Sequence, residues 1–236
     1  MGQTMSEHHA LHLSVLAAHY SLIFMAVAYT LRLRWILSFK AGVERQAATG
    51  TPGRTNPKKG YVYSLMNIAM PWAMESTRRK PLMYISFVIF HLGVLAAITQ
   101  TFTLPFAPSL HTDPVGGNVF QVLIGAAFLV GVARIIRRVG SKYIRAISSP
   151  DDHFSLWVLT VWFFFGTLAA KYPLDSAALF GIDGNTAMLL FFSMTAFFLV
   201  YVPFSKISHY LYYPFTRYYF GRSMGHRGVY PLERKS

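Results

Sequence analysis

The chain contains the segment LMYISFVIFHLGVLAAITQTFTLPF at Leu82–Phe106, in which His91 is the one side chain that can carry charge. A membrane-spanning helix needs about 20 predominantly apolar residues, so this segment is long enough to cross a bilayer. Its apolar residues do not alternate with polar ones, as those of a membrane-barrel strand would. The segment therefore predicts a transmembrane helix.

Four further apolar segments have a similar length and pattern: Leu13–Leu31, Val119–Ile136, Phe154–Ala170 and Thr186–Tyr210. Only 13% of the residues are charged, whereas a soluble domain has about 25%. We predict an all-α integral membrane protein with five transmembrane helices, in which residues 1–236 form a single membrane domain.

The distribution of basic residues predicts the orientation. Of the 22 Lys and Arg residues, all but Lys171 lie at span ends or in loops on one side. Because cytoplasmic loops are enriched in these residues, we predict an outer N-terminus and a cytoplasmic C-terminus in the cell inner membrane. The cytoplasmic parts are then a loop at 34–80 and a tail at 214–236. Topology explains most of the net charge of +13, so nucleic acid is not an expected partner.

Three connecting segments carry structural predictions. The apolar-aromatic segment Tyr61–Met74 predicts a helix lying at the membrane interface, a surface that could also receive a cytoplasmic subunit. Pro150 followed by Asp151 and Asp152 predicts a helix start, because acidic side chains are favoured in the first helical turn. The aromatic and basic stretch Tyr210–Gly228 is expected to begin at the interface and to continue as an extended tail.

The chain contains no cysteine. It therefore cannot hold a thiolate-bound iron–sulfur cluster or a covalently attached c-type haem. Any redox centre would have to be held by histidine or methionine, or be a bound quinone.

His91 and His209 lie within two different apolar segments. An ionisable group inside a membrane helix is costly and needs a partner, which makes it a candidate functional residue. Two imidazoles in the cytoplasmic halves of facing helices could be the axial ligands of one haem. Ordinary hydrogen bonding between helices is the alternative. Small neighbours, Gly93 and Ser208, would admit a flat macrocycle or serve helix packing.

The other histidines are weaker candidates. His19 lies inside the first segment and could hydrogen-bond a neighbouring helix, a quinone or a second haem. We expect His111 to be exposed in an outer loop, and His153 to be partly solvated at a helix end. The three that precede the first span are expected to be exposed: His8, His9 and His12.

The two histidine segments resemble motifs of the gamma-subunit family of respiratory nitrate reductase, a five-helix membrane cytochrome b. Phe90-His91-Leu92-Gly93-Val94-Leu95 is similar to the ligand motif of its second helix. Pro203-Phe204-Ser205-Lys206-Ile207-Ser208-His209 is similar to that of its fifth helix. Arg145-Ala146-Ile147-Ser148-Ser149 resembles the loop before its fourth helix. The similarity extends from Lys80 to Pro214.

The resemblance implies a haem b on the cytoplasmic side with His91 and His209 as axial ligands and no catalytic residues. Two positions depart from the family, which binds a second haem in the outer half. Its ligands there correspond to Thr101 and Phe191, and neither can bind haem iron. One haem is therefore favoured. A second would need His19 together with another outer histidine, such as His111.

A finer resemblance concerns the first cytoplasmic loop. Trp72-Ala73-Met74-Glu75-Ser76-Thr77-Arg78-Arg79 is similar to the M subunit of the heterodisulfide-reductase-like membrane complex linked to sulfite reductase. The resemblance implies electron transfer between menaquinone or ubiquinone and a cytoplasmic iron–sulfur subunit, with further membrane or periplasmic subunits. A redox-silent membrane anchor and a small proton-coupled transporter are the alternatives.

Two groups of charged residues complete the expectations. Basic residues near the cytoplasmic side could pair with haem propionates or simply reach the lipid head groups; they are Arg78, Arg79, Arg145 and Lys206. Outer residues could contribute to a quinone site; they are His19, Lys171 and Asp175.

Overall fold

The computed structural model of the protein describes residues 2–40, 42–49, 56–171 and 181–230. Within these residues the chain forms ten α-helices: α1 (Gly2–Ser38), α2 (Pro57–Met66), α3 (Glu75–Arg79), α4 (Pro81–Phe106), α5 (Ser109–Thr112), α6 (Pro114–Gly140), α7 (Lys142–Ala146), α8 (Pro150–Ala169), α9 (Gly184–Tyr201) and α10 (His209–His226). Short 3₁₀ turns cover Asn67–Ala69, Pro71–Ala73, Val202–Phe204 and Lys206–Ser208.

Five of the described helices are long and apolar enough to cross a membrane. They are His8–Ser38 within α1, then α4, α6 and α8, and finally Gly184–Phe204, which is α9 with the following turn. Their lengths of 20 to 31 residues meet the requirement of about 20 residues for a bilayer span. The prediction of an all-helical, multi-pass membrane protein is confirmed.

The starts of three spans are set by local capping. Asp113 accepts a hydrogen bond from the backbone N–H of Gly116 at the start of α6, at 2.8 Å. Asp183 caps α9 in the same way. Ser149 and Asp152 form a reciprocal capping box at α8, with Pro150 in the first turn. Each arrangement satisfies backbone donors that a helix start leaves unpaired. The predicted helix start at Pro150 is confirmed.

The fifth span ends earlier than the predicted limit of Tyr210. The regular helix α9 ends at Tyr201, and the apolar stretch continues as a 3₁₀ turn only to Phe204. Pro203 has no backbone N–H to donate, and Ser205 is extended with φ −103° and ψ 170°. Both features stop a helix. The predicted continuous span Thr186–Tyr210 is therefore wrong at its C-terminal end.

The chain divides into two compact units. Unit 1 comprises Met1–Arg32 and Ser86–Ile207, and unit 2 comprises Leu33–Ile85 and Ser208–Ser236. Unit 1 thus contains most of the five spans. Unit 2 combines nearly all of the segments that the sequence predicts to be a cytoplasmic loop and a cytoplasmic tail.

Aromatic side chains fill the interior of unit 1. Phe163 and Phe191 are fully buried. Trp162 stacks on Phe191, with ring centroids 5.8 Å apart, and its indole N–H donates to Thr195 Oγ1 at 2.9 Å. These contacts join α8 to α9.

Small residues allow the helices of unit 1 to approach closely, as is common in membrane proteins. A Cβ added to Gly93 on α4 would lie 2.1 Å from the Cβ of Ala127 on α6. One added to Gly131 on α6 would lie 2.5 Å from Thr160 Oγ1 on α8. The α4–α6 and α6–α8 contacts therefore depend on the absence of these two side chains.

In unit 2, α2 packs directly against α10. A Cβ on Gly60 would lie 2.3 Å from the carbonyl oxygen of Gly221 and 2.7 Å from the Cα of Gly225. A Cβ on Gly221 would lie 2.6 Å from the Cβ of Ser64. We call Gly60, Ser64, Gly221 and Gly225 the small-residue seam.

The small-residue seam corrects the prediction of an extended tail. Residues His209–His226 form a helix, because α2 provides a surface against which it can pack. The predicted interfacial segment Tyr61–Met74 is helical only to Met66 and then forms two 3₁₀ turns. Tyr213 of α10 donates its hydroxyl to the carbonyl of Leu65 at 3.1 Å, which adds a polar contact to this packing.

Candidate functional site

His91 lies ten residues into α4, which corresponds to about 15 Å along the helix axis at 1.5 Å per residue. Its side chain is exposed on the helix. The Nδ1 atom lies 2.8 Å from the carbonyl oxygen of Phe87. A carbonyl oxygen only accepts, so Nδ1 carries the proton and the lone pair lies on Nε2. This tautomer is the one in which Nε2 can bind a metal.

A cation lies beside the same turn of α4. Arg134 of α6 donates from Nη2 to the carbonyl oxygen of Ser86 at 3.3 Å. Its guanidinium carbon lies 4.5 Å from the centre of the Phe90 ring. From the sequence, Arg134 is expected only to be one of the basic residues at a span end. Its position before the final turns of a long apolar helix was the available signal.

His209 is the first residue of α10 and is exposed. It therefore follows the fifth span, whereas the sequence predicts a position in the last turns of that span. His91 belongs to unit 1 and His209 to unit 2. The pairing of the two imidazoles stays a prediction from the sequence.

Gly93 does not face open space beside His91. Its missing side chain allows the close contact with Ala127 described above. Ser208, the small neighbour of His209, is buried with 1% of its surface exposed. Helix packing therefore accounts for Gly93.

His111 corrects a further expectation, because it is buried with 2% of its surface exposed. Its Nδ1 donates to the carbonyl oxygen of Ala170 at 2.8 Å, and its Nε2 lies 2.8 Å from the hydroxyl oxygen of Thr103. The ring stacks on Phe120 at a centroid distance of 4.7 Å. Both ring nitrogens are thus engaged with the protein. The contacts favour a role in joining helices over one as a haem or quinone ligand.

Replacing His111 with leucine should lower the free energy of unfolding by about 1–3 kcal/mol, because a buried carbonyl loses its donor. Burial lowers the pKa of His111 below its ordinary value of 6.5, against the opposing effect of the bond to Ala170. The unfolded chain therefore binds more protons below this pH, and stability should fall as the pH drops through about 6.5. His111→Leu should weaken this dependence.

Thermal unfolding in detergent, followed by circular dichroism between pH 7.5 and 5.5, would measure both effects. His12→Leu is the matched control, since His12 is exposed on α1. Equal stability of wild type and His111→Leu at pH 7.5 would contradict a structural role for His111.

The outer-half positions do not fit a second haem. Thr101 is buried and donates its hydroxyl to the Ala97 carbonyl of its own helix at 3.0 Å. Phe191 is fully buried against Trp162. Both positions are filled by packed side chains that cannot bind iron.

The remaining outer candidates are not brought into one site by the described contacts. His19 is partly buried, and its ring centre lies 5.5 Å from that of Phe106. Lys171 is exposed. Asp175 lies outside the described residues.

A groove of about 280 Å³ lies between α6 and α8, and its lining includes Phe128, Ile135, Trp157 and Phe164. Its exposed lining is wholly apolar. A quinone ring needs hydrogen-bonding partners, so this groove by itself does not define a quinone site.

Two of the predicted propionate-binding residues have acidic partners of their own. Lys206 Nζ lies 3.1 Å from the carboxylate of Asp152 and also donates to Ser149. Arg79 pairs with Glu75 at 2.5 Å. The other two, Arg78 and Arg145, are exposed.

Lys206 belongs to a network that joins the end of the fifth span to the start of α8. Its backbone N–H donates to Asp151 at 3.3 Å. Asp151 also accepts the hydroxyl of Tyr201, and that hydroxyl lies 2.9 Å from Ser155 Oγ. The two aspartates thus cap α8 and hold the end of α9.

These features define a multi-pass, all-helical membrane protein. A relative from Nitratidesulfovibrio vulgaris (strain Hildenborough), described simply as a protein, is 27% identical over 157 residues. The match covers 64% of this chain and 65% of the relative, so the chain spans slightly less than two thirds of that relative's length. No family model and no solved structure matches the chain.

Proposed function

We propose that the protein is a haem b membrane subunit of the nitrate reductase gamma-like type. In this proposal it transfers electrons between a membrane quinone and a cytoplasmic iron–sulfur subunit. The observation that carries the proposal is the exposed imidazole of His91 at the centre of an apolar helix, with its lone pair on Nε2. An ionisable side chain inside a membrane span is a candidate functional residue.

The residues of α4 fit an axial role for His91. The bond from Nδ1 to the Phe87 carbonyl fixes the tautomer and restricts rotation of the ring. Metal-binding histidines generally donate their other ring N–H in this way, and the bond increases the basicity of the ligating nitrogen. The resemblance of Pro203–His209 to the fifth-helix motif supports His209 as the second ligand. Through these axial ligands the protein would tune the reduction potential.

When bound, the haem would pass single electrons, whereas a quinol releases two electrons and two protons. The protein must then supply groups that accept or release those protons beside the quinone ring. His19, Lys171 and Asp175 remain the proposed residues on the outer side, with menaquinone or ubiquinone as the substrate.

The proposed setting is the cell inner membrane, with the N-terminus outside. The partner would be a heterodisulfide-reductase-like iron–sulfur subunit on the cytoplasmic side, with further membrane or periplasmic subunits. Resemblance of Trp72–Arg79 to the M-subunit branch supports this choice. The basic side chains of α3 and its neighbours offer charges for an acidic partner surface.

A pyridine haemochrome assay on protein purified in detergent tests the proposal. We expect about one haem b per chain, because one pair of axial histidines is proposed. Adding a quinol analogue as the electron donor should then produce the spectrum of reduced haem. Fewer than ~0.3 haem per chain would contradict the proposal, since a bis-histidine site should be nearly filled. That result would favour a redox-silent anchor or a proton-coupled transporter.

A further inference from the structure

Arg134 carries a positive charge within a span. It precedes the end of α6 at Gly140 by six residues, or about 9 Å along the helix axis. Its side chain is half-buried. Arg137 and Arg138 follow on the same helix, so the local charge is strongly positive.

The contacts of Arg134 do not neutralise this charge. Its partners are the Ser86 carbonyl and the face of the Phe90 ring, and both are formally neutral. Among residues 2–40, 42–49, 56–171 and 181–230, the recorded ion pairs are Arg79–Glu75, Lys206–Asp152 and Arg227–Glu44. Within that part of the chain, Arg134 has no carboxylate partner. A guanidinium at this depth is stabilised when an anion binds it.

The anion can be identified from the position of Arg134 relative to His91. The Phe90 ring centre lies 4.5 Å from the guanidinium carbon and 6.2 Å from the centre of the His91 ring. The cation therefore lies beside the same turn of α4 as the proposed axial ligand. The propionate carboxylates of a haem held by His91 would be the anions available to a cation beside this turn.

We infer that Arg134 binds a propionate carboxylate of the proposed haem, an inference that rests on the proposed function. The planar guanidinium can form two parallel hydrogen bonds with a carboxylate, a geometry that lysine cannot reproduce. This assignment replaces Lys206 and Arg79, whose charges are already paired with Asp152 and Glu75.

Redox titration of the purified protein tests the inference. Arg134→Gln removes a positive charge near the iron and should favour the ferric state. We expect the ratio of reduced to oxidised haem at a fixed potential to fall about tenfold, equivalent to about 59 mV for one electron. Arg137→Gln is the matched control on the same helix, because Arg137 is exposed. The ratio of reduced to oxidised haem in Arg137→Gln should stay within about twofold of the wild-type ratio, since solvent screens exposed charges.

Arg134→Lys provides a second measurement if the glutamine variant does not fold. Redox-difference infrared spectra should show altered propionate carboxylate bands relative to wild type, because the bidentate contact is lost. Identical bands would overturn the inference.

The remaining outcomes separate this inference from the proposed function. Wild-type protein without haem would overturn both. Haem-containing protein whose potential is unchanged by Arg134→Gln would overturn the propionate contact alone. If added phosphatidylglycerol, and not phosphatidylcholine, raised the unfolding temperature of detergent-solubilised wild type but not that of Arg134→Gln, the anion would be a lipid phosphate instead.

Discussion

Replacing His91 with alanine is expected to abolish haem binding. The substitution removes the imidazole whose tautomer is fixed by the Phe87 carbonyl, and alanine offers the iron no ligand. If the proposed haem is present, its content should fall from about one per chain to less than ~0.1, because the variant keeps only one of the two histidines proposed to hold the iron. The pyridine haemochrome assay would measure this loss directly.

The matched control is His153→Ala. His153 lies at the start of α8 and is partly exposed, so its loss should leave the haem content unchanged. His209→Ala should behave like His91→Ala if both residues bind the same iron. A normal spectrum in His91→Ala would mean that the axial ligand is misassigned. If His91→Ala lost its haem while His209→Ala kept it, His91 would remain a ligand and His209 would be excluded.

The second large effect is expected in the small-residue seam. Gly221→Leu would place a Cβ 2.5 Å from the Cα of Tyr61 and 2.6 Å from the Gly60 carbonyl oxygen. Backbone atoms cannot rotate away, so α2 and α10 would have to separate. We expect a loss of about 3 kcal/mol or more, at the upper end of the cost of overpacking.

Thermal unfolding in detergent, followed by circular dichroism, would measure this loss. Gly221→Leu should unfold at a clearly lower temperature than wild type, because α2 and α10 can no longer pack closely. Gly42→Leu is the control within unit 2, because an added Cβ there meets no atom within 4 Å. Equal unfolding temperatures of wild type and Gly221→Leu would contradict a packing role for the small-residue seam.

Features that depend on local sequence were predictable. The five spans follow from long apolar runs, and the start of α8 follows from Pro150 with its neighbouring aspartates. The early end of the fifth span also had a local signal, since Pro203 interrupts the backbone donors. The apolar pattern continues past Pro203, so its length alone predicts a longer span.

Features that depend on distant partners were not predictable. His111 lies in the short segment between α4 and α6, and its burial depends on Thr103, Phe120 and Ala170. The aromatic, glycine-containing stretch of α10 has little apolar pattern of its own. The helix is stabilised because it packs closely against Gly60 and Ser64 of α2. Arg134 differs from the other arginines near the end of α6 only in its earlier position, and its contacts with Ser86 and Phe90 depend on a helix distant in sequence.

The small-residue seam has a consequence for biosynthesis. About 140 residues separate the end of α2 from the start of α10. At ~5–20 residues per second, a ribosome needs roughly 7–28 s to add them. During that interval four apolar helices, α4, α6, α8 and α9, are made, while α2 has yet to meet its partner. Completion of unit 2 is therefore a late, post-insertion step, and translation pauses after α9 would lengthen the exposure of α2 to proteases and chaperones.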